Sequence, residues 1–174
     1  MQKIFGPVMQ NAFVVDDLEA AMDFWLNKMG VGPFFVFQHV QFKEAYYRGA
    51  PMNIDFSGAI AYWGEVQIEL IKQYDNEPSI YNDFLGKGLR GMHHMGVLTD
   101  DLDAHLARLR PAGIEPIQWG ELPTGMRFAY LNTDFHPGGM IELIETHESI
   151  MTFFKIIKDA ADAWDGKSDS IRRF

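Results

Sequence analysis

An internal repeat is the feature that most constrains the fold of this chain. Residues 10–25, QNAFVVDDLEAAMDFW, align without gaps with residues 94–109, HMGVLTDDLDAHLARL, at an offset of 84. The tetrapeptide IELI occurs at 68–71 and again at 141–144, at an offset of 73. Two matches in the same order, at the same ends of the two halves, indicate a duplicated module. The smaller second offset leaves about 11 extra residues in the middle of the first copy.

Both copies predict the same order of elements, β-α-β-β-β, and therefore a mixed α+β fold. Strands at 8–15 and 92–98 each lead into an Asp-Asp pair, which is typical of a helix N-terminus. We expect Asp16 to cap the first helix and Gly30 to end it. Further strands are predicted at 34–47, 59–62, 66–72, 114–118, 127–131 and 140–145. The segment at 34–47 is long for one strand and is expected to be bulged or broken.

The chain divides into a first module at 7–73, a linker with a short helix at 74–91, a second module at 92–146 and a C-terminal amphipathic helix and tail at 147–174. The apolar residues of the tail recur at helical spacing. Its helix is therefore expected to pack on a sheet face or on a second subunit, which favours a homodimer. The last ten residues are mostly polar and are expected to be frayed.

The composition excludes several classes of protein. The 15 basic and 24 acidic residues give a net charge of −9, which disfavours nucleic-acid binding through phosphates. No run of 18 apolar residues is present, so we expect no membrane span. The absence of cysteine excludes disulfides, thiolate zinc sites and thiol nucleophiles. The N-terminus lacks the pattern of an export signal, so the expected location is cytoplasmic.

Four side chains of metal-ligand type occupy equivalent positions in the two copies. Gln10 corresponds to His94, and Glu69 corresponds to Glu142. Each alternates with apolar residues on its strand and is expected on a buried face, where an unpaired carboxylate is costly. A pseudo-twofold axis between the modules would bring all four together. Two carboxylates would balance one divalent ion (Zn²⁺, Ni²⁺, Co²⁺, Mn²⁺ or Fe²⁺), and four protein ligands leave coordination positions open for water or substrate.

The sequence resembles the vicinal oxygen chelate superfamily, which includes glyoxalase I, methylmalonyl-CoA epimerase and the extradiol dioxygenases. The resemblance covers about residues 8–146 and rests on the DDLE helix start, the two IELI strands, FLGKGLRGMHHMGV and HPGGMIELIE. It implies an open, barrel-like mixed sheet built from the two modules around a metal. It also implies that Gln10, Glu69, His94 and Glu142 are the four ligands, a combination similar to that of some glyoxalase I enzymes. The FLGKGLRGMHH run is more similar to the epimerases, and the glutathione-holding features of glyoxalase I are not found.

These ligands predict a metal-dependent enzyme of glyoxalase or epimerase type, an isomerase or a lyase. A carbonyl oxygen held by a cation makes the adjacent C–H bond acidic, and a nearby carboxylate then moves the proton. Glu142 is the first choice for that catalytic carboxylate, and Glu69 is its pseudo-symmetric partner. The expected substrate is a small molecule or an acyl thioester.

An apolar substrate pocket is also predicted, because residues 34–47 are dense in aromatic side chains. The predicted pocket residues are Phe37, Glu44, Tyr46, Trp63, Met126 and His136. The alternative is that the aromatic residues among them fill the core of the sheet. Glu44 is in addition the nearest candidate for a second catalytic carboxylate, although an exposed strand residue is an equally good interpretation. His93 is expected on the strand face opposite His94, with a structural role.

Two other functions fit the same fold. A ring-cleaving dioxygenase of this superfamily holds Fe²⁺ with two histidines and one glutamate, whereas Gln10 stands at the position of the first histidine here. A non-enzymatic binding protein for an aromatic small molecule would need no metal. Oxygen consumption with a catechol would favour the dioxygenase, and tight binding of a planar ligand without metal would favour the binding protein.

Overall fold

The computed structural model describes residues 4–174 and shows one mixed sheet with four α-helices. The strands are β1 (Val8–Val14), β2 (Phe34–Phe37), β3 (Glu44–Tyr47), β4 (Ala50–Pro51), β5 (Phe56–Trp63), β6 (Val66–Gln73), β7 (Gly91–Thr99), β8 (Pro116–Glu121), β9 (Arg127–Leu131), β10 (Met140–Glu145) and β11 (Ile171–Arg173). The helices are α1 (Leu18–Phe24), α2 (Ile80–Gly86), α3 (Leu102–Leu109) and α4 (Glu148–Ala163). The predicted α+β fold with a C-terminal helix is confirmed.

The two copies of the repeat meet edge to edge in this sheet. The strand order is β11-β2-β5-β6-β1-β7-β10-β9-β8-β3-β4. The first strands of the two copies, β1 and β7, run antiparallel to each other. Each also pairs in parallel with the last strand of its own copy, β1 with β6 and β7 with β10. The β1–β7 pair is therefore the centre of an approximate twofold arrangement of two β-α-β-β-β units.

The sheet curves so strongly that its two halves face each other. β5 and β9 lie five strand positions apart in the sheet order, which in a flat sheet would separate them by about 24 Å. Instead, the ring of Phe42 bridges them, with centroids 5.4 Å from Phe56 on β5 and 5.7 Å from Phe128 on β9. This is the expected open, barrel-like sheet, and its concave side carries the functional side chains.

The Asp-Asp pairs begin the two helices that cover the convex side of the sheet. Asp17 caps α1 by accepting a hydrogen bond from the Ala20 N–H at 3.0 Å. Asp101 caps α3 in the same way, accepting from Ala104 at 2.9 Å. The prediction of Asp16 as the cap is wrong by one residue, because the helix begins at the buried Leu18 and a capping side chain reaches the N–H three residues on.

The first helix ends at the predicted residue. α1 continues into a π-helical turn at Trp25–Met29 and stops at Gly30, whose φ of 66° is the left-handed conformation that favours glycine.

Among residues 4–174, no helix combines the length and the apolarity needed to cross a membrane.

The extra residues of the first copy form a hairpin that crosses to the other half. The predicted strand at 34–47 is broken: β2 pairs with β5 in its own half, whereas β3 pairs with β8 at the far edge of the second half. β3 and β4 form the hairpin itself. Phe42, in the connection between β2 and β3, packs into the concave core. The insertion therefore helps to close the curved sheet.

The C-terminal segment packs on the first half of the sheet. The buried Ile157 of α4 contacts Phe35 and Ile60 on the concave side, which confirms packing on a sheet face. The expectation of a frayed tail is wrong for Ile171–Arg173, which form β11 beside β2. The open edge of β2 supplies hydrogen-bond partners for this strand, and Arg173 pairs with both carboxylate oxygens of Glu19 at 2.8 and 2.9 Å. The homodimer stays a prediction.

Candidate metal centre

Three ligand-type side chains meet on the concave side where the two copies join. Glu69 lies on β6, His94 on β7 and Glu142 on β10. His94 Nε2 is 3.3 Å from Glu142 Oε2 and 3.6 Å from Glu69 Oε2. One ligand atom from each residue lies within 4.8 Å of the other two. Ligand atoms bound at about 2.1 Å to one cation are spaced about 3–4 Å apart, so these three atoms fit around a single divalent ion.

Gln10 of β1 lines the same cavity as the two glutamates. Its Nε2 donates a hydrogen bond to Gln67 Oε1 at 2.8 Å, and Gln67 Nε2 in turn donates to the Tyr62 hydroxyl at 3.2 Å. This chain of hydrogen bonds fixes the orientation of the Gln10 amide. It uses the amide nitrogen of Gln10 and leaves the oxygen available as a ligand.

Two buried polar atoms in this cluster have no hydrogen-bond partner. Gln10 Oε1 and His94 Nε2 are two of the four such side-chain atoms found within residues 4–174. His94 Nε2 lies near enough to Glu142 Oε2 for an ion pair when His94 is protonated, but the two groups do not have the geometry of a hydrogen bond. Buried polar atoms are nearly always paired, because an unpaired one costs about 1–3 kcal/mol. Both are atom types that coordinate divalent cations. The residues present therefore fit a metal ion on the evidence of this structure itself.

The two carboxylates control the protonation of His94 when no cation is bound. Burial by itself would lower the pKa of His94, but the carboxylates of Glu142 and Glu69 outweigh burial and raise that pKa to about 9. Burial raises the pKa of Glu69; His94 partly offsets this effect, and the adjacent Glu142 adds to it. The cluster thus holds a proton where a cation fits, and metal binding would displace that proton.

A β-bulge turns His93 toward His94, contrary to the predicted opposite face. Ala12 pairs with His94 and Phe13 pairs with Met92, so His93 is the extra residue on β7. His93 Nδ1 lies 2.9 Å from His94 Nδ1. Burial, and then the charge of His94, lower the pKa of His93 to about 3, so His93 is neutral and its Nδ1 can accept a hydrogen bond from His94 Nδ1–H. That hydrogen bond would present His94 Nε2 as the ligand atom.

A cavity of about 390 Å³ opens above the cluster. It is lined by Gln10, Phe37, Val40, Phe42, Phe56, Gly58, Ile60, Glu69, Tyr81, Leu122, Thr124, Met126, Phe128, Tyr130, Glu142, Ile144, Ser149, Ile150, Phe153 and Phe154. The hydroxyls of Tyr81 and Tyr130 are 3.0 Å apart, and the Tyr130 ring centroid is 4.9 Å from that of His94. Burial raises the pKa of both tyrosines well above the ordinary value, so both hydroxyls stay protonated.

The predicted pocket residues are divided by the structure. Phe37 and Met126 line this cavity. Glu44 and Tyr46 lie at a separate depression near the β3–β8 edge, where the Tyr46 ring stacks on Trp119 at 5.5 Å. These two residues do not line the cavity, because β3 pairs with β8 at the far edge of the second half. Glu44 is therefore not placed to act as a second base beside the metal cluster.

The other two predicted pocket residues also lie elsewhere. Trp63 is 56% exposed at the end of β5 and packs against Trp25, next to α1 on the convex side. His136 lines a different pocket, together with His93 and residues of α2. Alternation along β5 puts Trp63 on the face opposite the cavity-lining Ile60, and His136 lies in the turn before β10, where alternation gives no information.

Comparison with known protein families identifies the family of the chain. A model of the glyoxalase/bleomycin resistance protein/dioxygenase superfamily matches residues 9–130. The chain belongs to this superfamily. The resemblance to the vicinal oxygen chelate proteins is thereby confirmed. No match was found among curated protein sequences.

Several solved structures share the fold of this chain at low sequence identity. The methylmalonyl-CoA epimerase of Mycobacterium tuberculosis is 20% identical, with a TM-score of 0.59 over 87% of this chain and 95% of that one. A hypothetical protein of Bacillus halodurans is 16% identical, with a TM-score of 0.58 over 82% and 95%. A variant of the Streptomyces coelicolor methylmalonyl-CoA epimerase, in complex with 2-nitronate-propionyl-CoA, is 18% identical, with a TM-score of 0.56 over 83% and 96%.

The sequence analysis missed several residues that support Gln10 or line the cavity. Gln67 shares a strand face with Glu69, and that alternation was a usable signal. Tyr130 stands opposite Glu142 only through the β9–β10 register. Ile150 and Phe153 belong to α4, whose contact with the cavity depends on where the helix packs.

Proposed function

We propose that this protein is a divalent-metal-dependent enzyme of the glyoxalase or epimerase type, an isomerase or lyase that moves a proton next to a carbonyl group. The observation that carries the proposal is the pair of unpartnered buried atoms, Gln10 Oε1 and His94 Nε2, beside two carboxylates at the end of a cavity. Gln10, Glu69, His94 and Glu142 would hold the ion.

The donor set favours this chemistry over iron-dependent ring cleavage. One imidazole, one amide oxygen and two carboxylates differ from the two-histidine, one-carboxylate set of non-haem iron oxygenases. When bound, the ion would polarise a substrate oxygen and stabilise the negative charge that develops on it. The two carboxylates balance its charge, so the loaded site is neutral.

Glu142 and Glu69 would move the proton. They come from the last strands of the two copies and line the same cavity, so both carboxylates would lie beside a substrate carbonyl held at the ion. Glu142 is the first choice for the base, and Glu69 is its partner. One group removing a proton and the other returning it gives an epimerisation or a 1,2-proton shift.

The test combines metal content with proton exchange. Elemental analysis of tag-free protein is expected to show about one divalent ion per chain, lost in Glu142→Ala. Incorporation of solvent deuterium beside the carbonyl is then followed by NMR over α-hydroxy ketones, hemithioacetals and thioesters, including methylmalonyl-CoA, which is named for the epimerase relatives. Glu142→Gln is expected to lose more than about 99% of the exchange rate.

Glu145→Gln on the same strand is the matched control. The Glu145 side chain is paired with Arg127 and does not line the cavity, so this variant is expected to keep both metal and exchange. Full exchange in Glu142→Gln would refute the role of Glu142. A chain that takes up no metal after supply of Zn²⁺, Ni²⁺, Co²⁺, Mn²⁺ and anaerobic Fe²⁺ would refute the enzyme, and the apolar cavity would then favour a binding protein.

A further inference from the structure

The cavity wall away from the metal cluster is aromatic and carries no positive charge. Six phenylalanine rings line it: Phe37, Phe42, Phe56, Phe128, Phe153 and Phe154. Its polar groups beyond the cluster are the hydroxyls of Tyr81, Thr124, Tyr130 and Ser149. Within residues 4–174, none of the residues lining this cavity is Lys, Arg or His.

Charge decides which ligand body fits such a wall. The charges of Glu69 and Glu142 neutralise the charge of one divalent cation, so no positive charge remains to pair with a negative group on the ligand. A carboxylate or phosphate on the ligand body would lose its water without gaining a partner, and this is strongly unfavourable in apolar surroundings. A volume of about 390 Å³ is near the lower end of the range for small-molecule sites, about 300–1,000 Å³.

The first turns of α4 build a large part of this wall. Ser149, Ile150, Phe153 and Phe154 line the cavity at the i, i+1, i+4 and i+5 spacing of one helix face. Phe153 packs edge-to-face on Phe37, with ring centroids 5.2 Å apart. Residues 148–163 lie outside the segment 9–130 that the superfamily model matches, so the family does not determine this wall.

We infer that the site takes an uncharged aromatic carbonyl compound of low molecular weight, and that α4 sets this preference. The inference rests on the proposed function for the placement of the carbonyl oxygen at the cluster. The aromatic body of the ligand lies among the phenylalanine rings, with Phe153 limiting its size.

The first experiment measures charge discrimination by titration calorimetry on the Zn²⁺-loaded protein. The probes are 2-hydroxyacetophenone and its 4-carboxy derivative, which differ by a charge on the ring end and keep the same oxygens for the metal. The uncharged probe is expected to bind at least about tenfold more tightly. Equal affinities, or no saturable binding of either probe to the Zn²⁺-loaded protein, would overturn the inference.

A pair of Thr→Lys variants tests whether the missing charge is the cause. Thr124→Lys adds a cation to the lining and is expected to improve binding of the carboxylated probe at least about fivefold. Thr152→Lys places the same charge on an exposed position of α4 that does not line the cavity, and it is expected to change neither affinity. Equal effects of the two variants would contradict the local origin of the selectivity.

A second pair tests the role of α4. Phe153→Ala is expected to shift preference from the phenyl probe toward its 2-naphthyl analogue at least about fivefold, because it removes a ring that limits the cavity. Met151→Ala, at a 39% exposed position of the same helix that does not line the cavity, is the control. An unchanged naphthyl-to-phenyl ratio in Phe153→Ala would overturn the role of the helix.

The two proposals can fail separately. If the chain binds no metal but keeps the charge discrimination and the Phe153 effect, the proposed function is wrong and the cavity preference stands. If the chain binds one divalent ion but prefers the carboxylated probe, the preference is wrong and the metal site stands.

Discussion

Gly96→Ala tests the packing that holds Gln10 in the cluster. Gly96 faces Gln10 across the β1–β7 pair. A Cβ at this position would lie 2.7 Å from Gln10 Oε1, 2.9 Å from Gln10 Cβ and 3.3 Å from Ile144 Cδ1. The Gln10 side chain cannot move aside freely, because its nitrogen is hydrogen-bonded to Gln67. The substitution therefore overpacks the contact between β1 and β7 and also breaks that hydrogen bond.

Both effects are measurable. Overpacking a close contact costs about 1–3 kcal/mol, and losing the Gln10–Gln67 hydrogen bond adds about 1 kcal/mol. We expect the free energy of unfolding of the metal-free protein to fall by about 2–4 kcal/mol. Because the displaced oxygen is also the proposed fourth ligand, the dissociation constant for Zn²⁺ should rise about 10- to 100-fold.

Urea unfolding followed by tryptophan fluorescence, and competition with a chromophoric zinc chelator, measure the two effects. Gly86→Ala is the matched control: a Cβ there meets no atom within 4 Å. Gly86 also has no positive φ, so this variant should unfold at the same urea concentration or a higher one. A Gly96→Ala protein with unchanged stability and zinc affinity would refute the packing of Gln10 described here.

Three further predictions follow from other contacts. His93→Phe keeps a ring at the bulge but removes the hydrogen bond to His94, so zinc affinity measured by chelator competition should fall about tenfold with the stoichiometry unchanged. The hydrogen bonds from Arg127 lower the pKa of Glu145, so this carboxylate stabilises the fold above its ordinary pKa of 4.5 and loses that effect as the pH falls through the lowered value. Glu145→Gln should therefore cost about 1 kcal/mol in urea unfolding at pH 7 and progressively less below pH 4.5, and a constant difference would contradict this sign. Ser79→Ala should lower the free energy of unfolding by about 1–2 kcal/mol, because the Ser79 hydroxyl caps α2 and is fully buried.

Local pattern was enough to predict much of this molecule. The repeat predicted the paired β-α-β-β-β units, and the strands at 127–131 and 140–145 have the predicted bounds. The alternation around Glu69 and Glu142 predicted a shared inner face, and the structure places both carboxylates beside His94. These features depend on a side-chain period of two along a strand and on the duplication, both of which are visible in the chain itself.

Other features depend on register and on contacts between distant segments. Alternation placed His93 on the wrong face because a single extra residue in the β1–β7 ladder reverses the pattern. The prediction of Glu44 as a pocket residue failed because β3 pairs with β8. This pairing depends on the free sheet edge of β8, a feature that is not visible in the sequence of β3.

The amino-acid sequence by itself determined the duplicated fold and the set of candidate ligands. The tertiary structure alone decided how His93 supports His94, which aromatic residues surround the cavity, and that α4 forms part of its wall. The physical reason is that periodicity reports which face of an element is apolar. The partner of that face is decided by packing among elements far apart in the chain.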